Sequence, residues 1–171
     1  MKQLLLVVDM QNDFVTGNLK SEMAQAIIPA VQERIAEHKQ AGSTIIYTLD
    51  THGEDYLNTP EGKKLPIEHC IEGTDGWNII PELSISDDDW THEKPTFGSL
   101  VLADIVAEGN DEEIELCGLC TDICVVTNAL ILKTRLPDAK ITVHSNACAD
   151  ITEESHKAAL LTMQMCQIEV V

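Results

Sequence analysis

Asp9, Lys94 and Cys124 are the side chains with which this chain could carry out covalent chemistry. Cys124 lies in Gly118-Leu119-Cys120-Thr121-Asp122-Ile123-Cys124-Val125. The apolar run 114–117 before this segment reads as a buried strand, and residues 122–135 read as a helix. Thr121 or Asp122 would cap that helix, which places Cys124 in its first turn. Free backbone N–H groups and the helix dipole favour negative charge there, so the thiol is expected to ionise below its ordinary value of about 8.5. The plainer reading is a small buried hydrophobe, which describes most free cysteines.

Asp9 follows the apolar run 4–8, Asp50 and His52 follow 44–49, and Lys94 follows 90–93. If these runs are parallel strands, all four groups end on the sheet edge that carries Cys124, where ligands bind in open α/β sheets. There Asp9 could take the thiol proton and later hand it to a leaving group. Lys94 could stabilise the thiolate and orient Asp9. The alternatives are a turn or cap for Asp9 and a surface charge for Lys94.

The elements that must position these groups alternate along the chain. Strands are expected at 4–8, 44–49, 90–93, 114–117, 140–144 and 167–171, and helices at 28–40, 99–108, 122–135 and 152–165. Pro29 opens the first helix and Gly42 stops it. Strand–helix alternation with apolar strands argues for an α/β fold, a mostly parallel sheet of about six strands covered on both faces. Residues 50–88, punctuated by glycine and proline, are too long for a plain connector and are expected to carry function. No repeat or linker divides the chain, so residues 1–171 are expected to form a single domain.

Composition narrows the function. With 29 acidic against 11 basic residues, the formal charge is -18, a field that repels phosphate backbones and anionic membranes. Neither nucleic acid nor a membrane is therefore an expected partner. The opening apolar run is cut short by Asp9, too soon for a span or a secretory leader. The six cysteines are expected to be reduced thiols in the cytoplasm. The acidic runs Asp87-Asp88-Asp89 and Asp111-Glu112-Glu113 read as solvated loop charges.

Five segments in order carry a resemblance through nearly the whole chain. They are Asp9-Met10-Gln11-Asn12-Asp13-Phe14, Thr48-Leu49-Asp50-Thr51-His52, Lys94-Pro95-Thr96-Phe97-Gly98-Ser99, the segment from Gly118 to Val125, and Ala147-Cys148-Ala149-Asp150 followed by His156. Together they resemble the isochorismatase-like cysteine hydrolases and, within them, the nicotinamidase-related amidases. The resemblance implies a three-layer α/β/α sandwich of Rossmann-like type, often assembled as a homo-oligomer. It also implies a catalytic triad of Asp9, Lys94 and Cys124, with Phe14 as a pocket wall. A cis peptide between Leu119 and Cys120 is implied too, with the N–H groups of Cys120 and Cys124 forming an oxyanion hole.

Asp50, His52 and His69 resemble the zinc site of nicotinamidases, where the metal orients the substrate ring. An aspartate and two histidines make a plausible donor set with open positions. Leu65 stands where that family carries an aromatic residue, and Glu68 is an extra residue in the run. This departure leaves other small amides open. No organic cofactor is expected. Cys117-x2-Cys120-x3-Cys124 has roughly ligand-like spacing, but a strand end and a helix would have to converge for it to bind a metal. Cys148 and Cys166 read as small packing residues, Trp77 and Trp90 as packing beneath the loop, and His156 as helix packing. The expected activity is hydrolysis of a small carboxamide such as nicotinamide through a thioester. The alternatives are an isochorismatase-type vinyl-ether hydrolase and a non-catalytic protein of the same fold.

Overall fold

The computed structural model describes residues 2–85 and 89–171. Strand β1 (Gln3–Val8) is followed by the short helices α1 (Asn12–Val15) and α2 (Glu22–Ala26) and by α3 (Ile28–Ala41). Next come β2 (Thr44–Asp50), α4 (Pro60–Lys64), β3 (Trp90–Lys94) and α5 (Leu100–Gly109). The chain closes with β4 (Glu113–Leu119), α6 (Val126–Arg135), β5 (Lys140–Ala149), α7 (Glu153–Met165) and β6 (Glu169–Val170). Among the described residues the six strands form one parallel sheet in the order β3-β2-β1-β4-β5-β6.

The order reverses direction between β1 and β4. With right-handed crossovers, that reversal puts α2 and α3 on one face of the sheet and α5, α6 and α7 on the other. Accordingly α3 packs on β1, β2 and β5, while α6 packs between α5 and α7. Leu4, Leu5, Leu6, Val7 and Val8 are all buried, because β1 is covered on both faces and has no solvent side to supply alternation. Gly118 (φ +116°) is required where β4 meets β1: a Cβ there would stand 2.1 Å from the Val8 carbonyl oxygen.

Some expectations are corrected. β5 runs on to Ala149, well past 144. The polar pair Ser145-Asn146 hides the continuation, and a register shift between Leu116 and Gly118 restores pairing as Gly118 with Cys148 and Leu119 with Ala149. β6 pairs only over Glu169–Val170, since Gln167 takes a left-handed turn (φ +64°). β3 is not apolar throughout: it is an edge strand, and Trp90 is exposed rather than packed beneath a loop. Cys166, at the C-terminal cap of α7, is exposed as well. Asp111 is buried beside Lys2 (3.9 Å) instead of solvated. Asp87 and Asp88 lie outside the described residues, and Asp89 pairs with Lys39 at 3.7 Å.

Candidate active site

β1, β2 and β3 end at a common level, with Asp50 opposite Lys94 in register and the Asp9 N–H donating to the Thr48 carbonyl. Lys94 is fully buried at their meeting point. Its Nζ lies 2.6 Å from Asp9 Oδ2, 3.5 Å from Asp50 Oδ1, 3.5 Å from Cys124 Sγ and 3.2 Å from the Thr96 carbonyl oxygen. The three residues singled out from sequence are therefore together in space. Asp9 adopts φ +49°, a sparsely populated conformation for an aspartate. Thr48 fixes it there: its hydroxyl donates to Asp9 Oδ1 at 2.6 Å and accepts from the Asp9 N–H at 3.1 Å.

The charges in this cluster do not behave as the helix-dipole expectation had it. Burial pushes the Cys124 thiol well above its ordinary value; the Asp9 carboxylate adds to this, partly through a hydrogen bond, and only Lys94 opposes. The expected easy ionisation is thus overturned. The turn itself also differs, because residues Thr121–Val125 form one turn of π-helix, capped by Cys120 with no side-chain bond. Burial raises the Asp9 carboxyl too, against the pull of Lys94. Burial would lower the Lys94 ammonium, but the anions at Asp9, Cys124 and Asp50 hold it above the usual lysine range. Burial thus favours the neutral forms at Cys124 and Asp9, while the surrounding anions favour the charged form of Lys94.

A second set of ligating atoms adjoins it. Among the described residues, Asp50, His52 and His69 bring their donor atoms within 4.8 Å of one another, all three buried. Asp50 Oδ2 lies 2.9 Å from His52 Nε2 and 3.6 Å from His69 Nε2. His69 Nδ1 meets the Ile67 carbonyl at 2.8 Å, which leaves Nε2 to face Asp50 as the ligating atom. Burial would raise the Asp50 carboxyl, yet hydrogen bonds from His52 and His69 and the Lys94 charge hold it well below the usual range. One carboxylate and two imidazoles of this geometry fit a divalent metal. Glu61, on α4, stands nearby, 3.7 Å from His52 and 3.9 Å from His69.

A cavity of about 110 Å³ opens onto both sets. Phe14, Leu19, Leu65, Phe97, Ile123 and Ile151 wall it, with Cys124, Cys120, Asp50 and His69 among its lining. The Leu119–Cys120 peptide bond is cis, as the resemblance implies. Burial, with Asp150 and Asp122 nearby, pushes the Cys120 thiol up to about 12. Cys117, Cys120 and Cys124 do not gather as a ligand group among the described residues. His156 does more than pack its helix: its Nδ1 meets Thr121 Oγ1 at 2.8 Å, and the Asp122 N–H donates to Asp150 Oδ2 at 3.2 Å. The first bond holds the π-turn against α7 and the second ties it to the residue that follows β5.

Several residues of the site escaped the sequence reading. Gln11 clamps Asp50 from both sides, accepting its N–H at 2.8 Å and donating to its carbonyl at 2.9 Å. Asp13 holds the His69 loop by accepting from the Cys70 N–H at 2.8 Å. Tyr56 packs its ring against both histidines, 4.7 Å and 4.9 Å between centroids. Gln11 and Asp13 belong to the segment 9–14 that carries the resemblance, where polar residues directly follow a buried strand. Tyr56 and Glu61 carried no signal beyond their place in the long 50–88 segment.

A parallel α/β sheet with a thiol, an ammonium and a carboxylate converging at its topological switch point defines an α/β enzyme with a buried cysteine centre. Residues 3–171 match the isochorismatase domain model, and the chain belongs to that family of hydrolases. An isochorismatase family protein, PncA, from Bacillus subtilis is 29% identical over 94% of this chain and 93% of its own length. The nicotinamidase/pyrazinamidase of Mycobacterium tuberculosis is 26% identical over 98% and 97%. The zinc complex of the pyrazinamidase of Pyrococcus horikoshii superposes with a TM-score of 0.88 at 27% identity, covering 100% of this chain and 99% of that one. No helix of the described residues is long and apolar enough to cross a membrane.

Proposed function

We propose that the chain is a cysteine amidohydrolase that converts a small carboxamide, with nicotinamide the first to test, into the acid and ammonia. The observation that carries this reading is Lys94 Nζ held between Asp9 Oδ2 and Cys124 Sγ, with Cys124 lining the cavity and the other two buried behind it. The nicotinamidase and pyrazinamidase relatives supply the amide bond as the reaction class.

The steps follow from the charges. Asp9 takes the Cys124 proton as the sulfur attacks the amide carbon, and Lys94 stays protonated beside both. The carbonyl oxygen becomes an oxyanion, for which the N–H groups of Cys120 and Cys124 are the donors. Asp9 returns the proton to the nitrogen, the carbon–nitrogen bond breaks, ammonia leaves and a thioester remains. Water, deprotonated by Asp9, attacks the thioester carbon and restores the thiol while the acid departs. A high thiol pKa suits this sequence, because the proton leaves sulfur only as the carbon–sulfur bond forms.

Asp50, His52 and His69, with Glu61 beside them, would hold a divalent metal, and the two-nitrogen, carboxylate set suits zinc. When bound, such an ion would supply Lewis acidity toward a ring nitrogen or other lone pair of the substrate. The protein's own part is to bury these ligands and aim them at the cavity that holds Cys124.

Ammonia release from nicotinamide and a panel of small carboxamides, with and without Cys124→Ala, tests the reading. The expected result is turnover by the native protein and its loss, by at least about 10³-fold, in the variant. Full turnover without the sulfur would overturn it.

A further inference from the structure

The lysine and the cysteine of this site come from segments far apart in sequence, and Asn128 joins those segments. It lies on α6, one turn beyond Cys124, and is 1% exposed. Its Nδ2 donates to the Cys124 carbonyl at 2.8 Å and to the Phe97 carbonyl at 3.1 Å, while its Oδ1 accepts from the Ser99 N–H at 3.1 Å. The carboxamide therefore has one contact on the nucleophile turn and two on the segment after Lys94. That segment returns to Lys94 itself, whose Nζ donates to the Thr96 carbonyl at 3.2 Å. Ser99 also caps α5 by accepting from the Leu102 N–H at 3.0 Å. Three directed bonds from one buried side chain fix relative position in a way that apolar packing does not.

The fit between the two segments is close elsewhere too. A Cβ at Gly98 would stand 2.6 Å from Thr127 Cγ2 and 2.7 Å from Ile131 Cδ1, both on α6. The loop thus lies close on the helix, so that a methyl group at 98 would have to displace the Thr127 and Ile131 side chains, beside the residue that bonds to it.

We propose that Asn128 is a positioning residue for hydrolysis, tying the 96–99 loop to the Cys124 turn and so setting the separation of Lys94 Nζ from Cys124 Sγ. This rests on the reading of Cys124 and Lys94 given above. Aspartate at 128 keeps the shape and the bond from Ser99 but sets an oxygen against the Cys124 and Phe97 carbonyls. Alanine removes all three bonds without introducing charge.

The test compares Asn128→Asp, Asn128→Ala and Gly98→Ala with the native protein, each corrected for folded fraction from its melting curve. The readouts are kcat, KM and the rate at which iodoacetamide alkylates Cys124, followed by peptide mass spectrometry. Loss of alignment predicts about a tenfold fall in kcat for both Asn128 variants, with KM within about twofold and Cys124 alkylation changed in parallel. Gly98→Ala shifts the same quantities in the same direction, by less. If the aspartate variant does not fold, the alanine variant carries the comparison. Native kcat and native alkylation per folded molecule in the Asn128 variants would overturn the proposal and leave Asn128 a stability residue. Failure of the underlying reading is distinguishable: it would appear as turnover by Cys124→Ala, whatever the Asn128 variants do.

Discussion

The sheet holds two carboxylate centres, one fully buried and one half-buried, and β4 leads to both. At its carboxyl end lies the Asp9–Lys94–Cys124 cluster; midway along it Glu115 lies between His38 of α3 (3.2 Å) and His144 of β5 (2.5 Å). Burial acts on both carboxyls, but the outcomes are opposite. Glu115 is held below the usual range, because hydrogen bonds from His144 and His38 outweigh burial. Asp9 is raised, because complete burial outweighs its lysine. The Glu115 centre lies beneath α3, clamping helix to sheet, and its ionised form is satisfied. The Asp9 centre borders a cavity through Cys124, and its carboxyl is raised rather than lowered. A carboxylate that its partners hold low serves the fold; one that burial raises beside a cavity is available for chemistry.

Asp9→Asn strains this comparison most. Asparagine keeps the size and the contact with Thr48 but cannot take a proton. The expected loss in kcat is about 10²–10⁴-fold. The same change leaves Lys94 with Asp50 as its remaining carboxylate, so unfolding free energy should fall as well, by about 3 kcal/mol. Ammonia release and denaturant melts on the same samples separate the two effects. Near-native kcat in the folded variant would mean that Asp9 is a second structural centre like Glu115.

The neighbouring donor set gives the next largest effect. His69→Ala removes one imidazole and leaves Asp50, His52 and Glu61 in place. Zinc bound per chain, measured by elemental analysis after equilibration, should fall from about one to well below one, since losing one of three ligands weakens affinity at least as much as the 10–100-fold seen for outer-shell changes. Unaltered zinc content would place the ion elsewhere or nowhere.

How much of this was legible in the chain differs between the two centres. Asp9 and Cys124 could be found because each follows an apolar run, and Lys94 because it follows the short strand 90–93, since parallel strands end on one edge. Ile114, Leu116 and Cys117 marked β4 for the same reason. The Glu115 clamp was illegible: Glu115 interrupts an apolar strand, and nothing in the spacing of 38, 115 and 144 signals that a helix and two strands bring them together. Cys124's ionisation was misread because the helix-terminus rule counts free N–H groups but knows nothing of burial or of Asp9 beside the sulfur. Asn128 was hidden by an ordinary helical pattern, since its partners at 97 and 99 lie in a loop whose path only the fold reveals.

Glu115→Gln probes the other side of the comparison and carries the smallest effect. The carboxyl is held below its ordinary value in the folded chain, so its ionised form favours folding. That contribution is fully present above the unfolded carboxyl's pKa, ordinarily about 4.3, and is lost as pH falls through the lower folded value. Glutamine keeps one acceptor oxygen but removes the charge facing His38 and His144. At neutral pH the variant should be less stable by roughly 1–2 kcal/mol, the scale of a hydrogen bond to a charged group. As the pH is lowered the native protein loses this advantage and the variant does not, so the two stability curves should converge in acid. Urea melts between neutral and acidic pH check the convergence, and ammonia release at neutral pH should match the native rate per folded molecule. Parallel stability curves would show that the imidazoles do not hold this carboxyl down, and a loss of turnover would join the two centres into one.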